Sequence, residues 1–139
     1  MIDEIGLKII KELNKNSRTS FAEIGRRIGL SPSSVRERIQ DLEESGIIKG
    51  YRLELNHTGL GYDLQVFILL KLFSGKLKPF LSILHSFEEV KEAYRITGSH
   101  NIQLKVVLRN QTHLHEFVDK LIEYGEPTTH LILSGLLEK

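Results

Sequence analysis

SFAEIGRRIGLSPSSVRERIQDLEESGIIKG, residues 20–50, decides how this chain is read. Ser20 and Glu23 stand at capping-box spacing, in which the serine oxygen accepts from an orphan backbone N–H and the glutamate reaches back to the cap. A helix therefore starts at Phe21. Its apolar residues Phe21, Ile24 and Ile28 fall at i, i+3 and i+7, and Gly29 offers the left-handed backbone that ends such a helix. Ser31 and Pro32 then supply a new cap and a first-turn proline. Two helices joined by roughly 3–4 residues that include a glycine cross steeply, so residues 21–40 read as a helix-turn-helix. Gly25 carries no side chain where the crossing is tightest, and Val35, Ile39 and Leu42 give the second helix a buried stripe. Ser33, Ser34, Arg36, Glu37 and Gln40 lie off that stripe, behind the cap Ser31. Such a helix can enter the DNA major groove, its early residues meeting base edges and its cations meeting phosphates. An amphipathic helix pair inside another helical core is the competing reading of the same spacings.

The whole chain sets bounds on that reading. Its 139 residues are 40% apolar, enough for one domain or two small ones. Without cysteine it has no disulfides or thiolate metal sites, which fits a reducing compartment such as the cytoplasm. No apolar run is long enough for a signal peptide or a membrane span. The net charge is only +1, but the segment 18–38 holds Arg18, Arg26, Arg27, Arg36 and Arg38 against Glu23 and Glu37. A local excess of cations can hold phosphates on double-stranded DNA while the rest of the chain stays balanced.

Upstream, Asp3 can cap a first helix with Ile5, Ile9, Ile10 and Leu13 on one stripe. Downstream, Gly46 ends the recognition helix, and Ile47, Ile48, Tyr51, Leu53 and Leu55 read as a wing or linking strand. Residues 56–61, with Gly59 and Gly61, form the expected boundary between a DNA-binding part, 1–61, and a second domain, 62–139. In the second part Leu64, Val66, Ile68, Leu70 and Leu72 alternate along a strand. A helix follows with Phe80, Ile83, Leu84 and Phe87, then strands over 90–97 and 102–108. Thr112 is expected to open another helix that Gly125 closes, and residues 127–136 a last strand. Strand, helix, strand, strand, helix, strand is the ferredoxin-like βαββαβ order, so the fold class is α+β with an N-terminal helix-turn-helix. Both helices cover one face of the sheet. Phe67, Leu69, Phe73 and Val107 are then expected on the open face, which points to a homodimer.

This order of parts and the wording of 30–50, LSPSSVRERIQDLEESGIIKG, resemble the Lrp/AsnC (leucine-responsive, feast/famine) regulators over nearly the whole chain. The resemblance implies a transcriptional regulator with no cofactor, whose N-terminal part binds DNA. Its C-terminal part would make dimers that can join into octamers, with a small-molecule effector such as an amino acid between subunits. Arg38 matches a characteristic arginine of the family's recognition helix. The family's glycine, two variable residues and aspartate beside the ligand correspond to Gly98, Ser99, His100 and Asn101. Asn101 stands in place of the acid and lacks the charge that would pair with an ammonium group.

Enzymatic chemistry finds little footing. His113 and His115 lie two apart on an expected helix and point to different sides, while His115 and Asp119 share a face without a third ligand. A small-molecule enzyme using the ferredoxin-like half, an effector-independent architectural protein and a protein-docking helix pair are the other function classes weighed.

Overall fold

Three capped helices build the N-terminal unit of the computed structural model, which describes residues 2–137; the outermost residues of both expected domains lie outside it. Helix α1 spans Glu4–Lys15, α2 Phe21–Ile28 and α3 Pro32–Glu44. Asp3 Oδ1 accepts from the Gly6 N–H at 2.8 Å, Ser20 Oγ from Glu23 at 3.1 Å and Ser31 Oγ from Ser34 at 3.2 Å. Each cap satisfies an N–H group that a helix start leaves without a partner. The Glu23 carboxylate does not close the box on Ser20; it pairs with Arg26 and Arg27, which as charged donors hold it more strongly than a neutral N–H. Gly29, at φ 79°, ends α2 as the spacing required.

Ile9, Ile24, Val35, Ile39 and Leu42 form the core of this unit. Gly25 is needed because a Cβ there would stand 2.2 Å from the Leu30 carbonyl oxygen, in the turn between α2 and α3. Phe21 departs from expectation and is exposed. Helical side chains lean toward the N-terminus, and the first residue of α2 has no preceding turn to lie against. Residues 47–55 also depart. Ile48 joins the core, whereas Tyr51, Leu53 and Leu55 are exposed and the segment pairs with no strand among the described residues. Extended backbone becomes a strand only beside a neighbour that takes its N–H and C=O groups.

The second unit begins at Leu55 and opens with a short 3₁₀ turn, Thr58–Leu60. It continues with β1 (Leu64–Leu72), α4 (Leu77–Leu84), β2 (Val90–Arg95), β3 (Ile102–Leu108), α5 (Gln111–Leu121) and β4 (Gly125–Leu131). The sheet order is β2-β3-β1-β4 with antiparallel neighbours throughout, the ferredoxin-like arrangement. Val66, Ile68 and Leu70 pack with Leu104, Val106, Phe80, Phe117 and Leu121 in a fully buried core. Phe87 meets Phe117 edge to face at 5.3 Å.

Four details correct the expectation. Asn110, not Thr112, caps α5, its Oδ1 accepting from the His113 N–H at 2.9 Å. Gly125 lies inside the sheet, paired with Leu72, rather than at a helix end, and glycine is needed there because a Cβ would stand 2.4 Å from the Lys71 carbonyl oxygen. β2 and β4 stop at Arg95 and Leu131, and Leu133, Leu136 and Leu137 beyond β4 are exposed. Val107 is buried, held at the end of β3 where its N–H donates to the Glu89 carbonyl at 2.9 Å, while Phe67 and Phe73 remain exposed.

Candidate nucleic-acid interface and effector loop

Ser33, Arg36, Glu37 and Gln40 occupy one exposed stripe of α3, opposite the buried Val35, Ile39 and Leu42. The stripe covers about two helical turns, roughly 10 Å of axis. At its N-terminal end the three serines form a hydroxyl cluster: Ser31 Oγ donates to Ser34 Oγ at 2.9 Å and lies 3.2 Å from Ser33 Oγ. Their hydroxyls can donate as well as accept, which suits contact with phosphates or base edges.

The arginines divide into two groups. Arg27 bridges Glu12 of α1, at 2.8 Å, and Glu23, while Arg26 also takes Glu23. Arg38 reaches across to Asp3, Nη1 to Oδ2 at 2.5 Å, so one carboxylate both caps α1 and holds α3. These contacts depress the carboxyl pKa values: Arg38 beside Asp3, Arg27 beside Glu12 and Arg26 beside Glu23 are the chief causes. Arg18 and Arg36 have no ion-pair partner among the described residues and are exposed. Arg18 sits in the turn before α2, where its N–H donates to Asn16 Oδ1 at 3.0 Å. Arg36 alone among the arginines is both unpaired and on the outward stripe of α3.

The 98–101 loop is a hairpin at one end of the sheet, with Gly98 at φ 104° in the region that favours glycine. Asn101 ties it down. Its N–H donates to the Leu70 carbonyl at 3.0 Å, its carbonyl accepts from Ile96 at 2.8 Å, and its Oδ1 accepts from the Leu72 N–H at 2.8 Å. The carboxamide thus extends the β1 ladder by one bond. Ser99 Oγ lies 3.0 Å from His100 Nδ1, and His100 Nε2 lies 3.5 Å from Thr128 Oγ1 on β4. The four consecutive loop residues line neither of two cavities found within the units.

Two groups that the spacing suggested for other work behave differently from each other. His115 and Asp119 face solvent 3.5 Å apart, and no cluster of three metal-ligating side chains occurs among the described residues. His113 is buried, accepting from the Arg109 N–H at Nδ1 and facing Glu89 with Nε2, both at 3.0 Å. Glu89 lies on the α4–β2 connection, so only folding reveals that pair. No described helix is long and apolar enough to cross a membrane.

Comparison with known proteins places both halves. Residues 2–49 match a family model described as winged helix-turn-helix DNA-binding, and residues 65–138 match one described as Lrp/AsnC ligand binding domain. The chain is 36% identical to the HTH-type transcriptional regulator LrpC of Bacillus subtilis over 97% of its own length and 94% of that protein's. With the regulatory protein AsnC of Haemophilus influenzae it shares 37% identity, over 88% of this chain and 82% of that one. The solved structure of B. subtilis LrpC superposes with a TM-score of 0.94, covering 100% of this chain and 99% of that one at 35% identity.

Proposed function

Since this chain belongs to the Lrp/AsnC family of transcription regulators, we propose that it is a sequence-specific DNA-binding regulator, working as a dimer or higher oligomer and responsive to a small metabolite. Residues 1–61 serve DNA binding and residues 62–139 serve effector binding and assembly, in the cytoplasm and without catalytic chemistry. The observation that carries the reading is the exposed stripe of α3 with its unpaired Arg36. A helix roughly 10–12 Å across fits a major groove about 12 Å wide. Ser31, Ser33 and Ser34 meet DNA at the helix start, Glu37 and Gln40 continue the stripe, and Arg36 and Arg18 take phosphates. Arg38 serves from the flank, holding α1 to α3 through Asp3.

Phe67, which is exposed, and Leu69, which is half-buried, lie two apart on β1 and so share the open sheet face, the dimer interface in this reading. Two copies joined there would offer recognition helices to half-sites about 34–36 Å apart, or a multiple of that. Selection of bound fragments from genomic DNA, with and without a panel of amino acids, tests the reading. Enrichment of paired half-sites whose affinity falls steeply with salt is the expected result. No enrichment over input DNA would overturn it.

The effector reading places a ligand at Gly98, Ser99, His100 and Asn101, with a second copy completing the site. Asn101→Asp keeps an acceptor for the Leu72 N–H and adds a charge for an ammonium group, so amino-acid binding should strengthen in calorimetry. Tight wild-type binding untouched by this change would remove the ligand from the loop. A second reading, regulation without an effector, is favoured by the engagement of the Asn101 carboxamide in the sheet.

A further inference from the structure

At the end of the sheet opposite the 98–101 hairpin lies a cavity of about 370 Å³. That is within the range of small-molecule sites, roughly 300–1,000 Å³. Leu64, Val66, Leu114 and Leu131 make its walls, drawn from the start of β1, the first turn of α5 and the end of β4. Asp63 and Arg109 stand on its rim, and neither has an ion-pair partner among the described residues.

The segment that carries Arg109 is fixed in advance. Its N–H donates to Nδ1 of His113, a residue only 7% exposed, whose Nε2 faces Glu89 at 3.0 Å. Since Nδ1 accepts, the ring proton resides on Nε2 and is donated to the carboxylate. A ligand arriving at the rim therefore does not have to order this backbone, which removes part of the entropic cost of binding.

We propose that the cavity is a binding site for a small monocarboxylic acid with an apolar body. Arg109 pairs with the carboxylate, and Leu64, Leu114 and Leu131 cover the hydrocarbon. Asp63 on the same rim repels a second negative charge, which sets monoacids apart from diacids. This site goes beyond the function proposed above and shares no residue with the 98–101 loop.

Calorimetric titration of the full-length protein with 4-methyl-2-oxopentanoate and with 2-oxoglutarate, alongside amide chemical-shift mapping, tests it. The monoacid should bind saturably and shift the amides of residues 109–114, and the diacid should bind at least about tenfold more weakly. Arg109→Gln, at an exposed position, should weaken the monoacid at least about tenfold, as loss of a charged hydrogen bond does. Leu114→Phe should block it by filling the cavity. Absence of saturable monoacid binding up to about 10 mM would overturn the proposal, since that is weaker than any useful affinity. Binding indifferent to both variants, a diacid bound as tightly, or shifts centred on residues 98–101 would overturn it equally. DNA affinity measured on the same samples separates this outcome from failure of the regulator reading, because Arg109→Gln should leave it unchanged.

Discussion

Replacing Arg36 and Arg38 separately distinguishes a group that meets DNA from one that holds the unit that meets it. Arg36 is exposed on the outward stripe of α3 and makes no ion pair among the described residues, so Arg36→Ala should leave folding stability within about 0.5 kcal/mol. Its loss should cost about 1–3 kcal/mol of DNA binding, roughly 5- to 150-fold. If the contact is to a phosphate, the slope of log affinity against log salt should fall by about 0.9 per contact, hence about 1.8 for a dimer using both copies. Arg38 is tied to Asp3 at 2.5 Å, and Arg38→Ala leaves Asp3 still capping Gly6. Its effect on affinity should come without a change of salt slope. Asp3→Asn should reproduce it, and the double variant should add nothing, since both act through one bond. Fluorescence anisotropy on a selected duplex at several salt concentrations, with circular dichroism as the check on folding, measures the four variants against wild type. Wild-type affinity and slope in folded Arg36→Ala would refute the assignment of the α3 stripe. A slope that falls in Arg38→Ala would show that this arginine touches phosphate itself.

Gly25→Ala should destabilise the N-terminal unit by about 1–3 kcal/mol in urea unfolding, because the new Cβ would meet the Leu30 carbonyl at 2.2 Å and backbone must move. A midpoint equal to wild type would mean the turn is free to open. Phe67→Asp should lower the mass seen by light scattering from dimer or larger to monomer, by placing a charge between Lys105 and His130 on the open face; an unchanged mass would move the interface elsewhere. Asp3, Glu12 and Glu23 have depressed pKa values, so their contribution is present above the ordinary values of 3.8 and 4.5 and is lost as pH falls through the folded-state values. Stability of the N-terminal unit should therefore drop as pH falls below these ordinary values, and drop less in a variant carrying Asp3→Asn, Glu12→Gln and Glu23→Gln. Identical acid profiles for the two proteins would contradict that account.

Signals that act within a few residues were legible from the chain alone. The caps Asp3, Ser20 and Ser31, the stripe Val35, Ile39 and Leu42, the left-handed Gly29 and the alternation of Val66, Ile68 and Leu70 each follow from helix or strand periodicity and local hydrogen bonding. They were enough to place a helix-turn-helix before a ferredoxin-like domain, and to put Ser33, Ser34, Arg36, Glu37 and Gln40 off the buried stripe of α3. What spacing could not supply was the partner of each charged or turn-forming group, since partners are chosen by how distant elements pack. Arg38 meets an aspartate 35 residues away, Arg27 meets Glu12 on another helix, and Glu89 comes to His113 from the α4–β2 connection, 24 residues earlier. Gly125 reads as a helix stop by composition and becomes a strand residue because it pairs with Leu72 of β1, where the Lys71 carbonyl leaves no room for a Cβ. Asn101 reads as half of a ligand motif and is drawn into the sheet by the Leu72 N–H, a bond that exists only once β1 and β3 have paired in register.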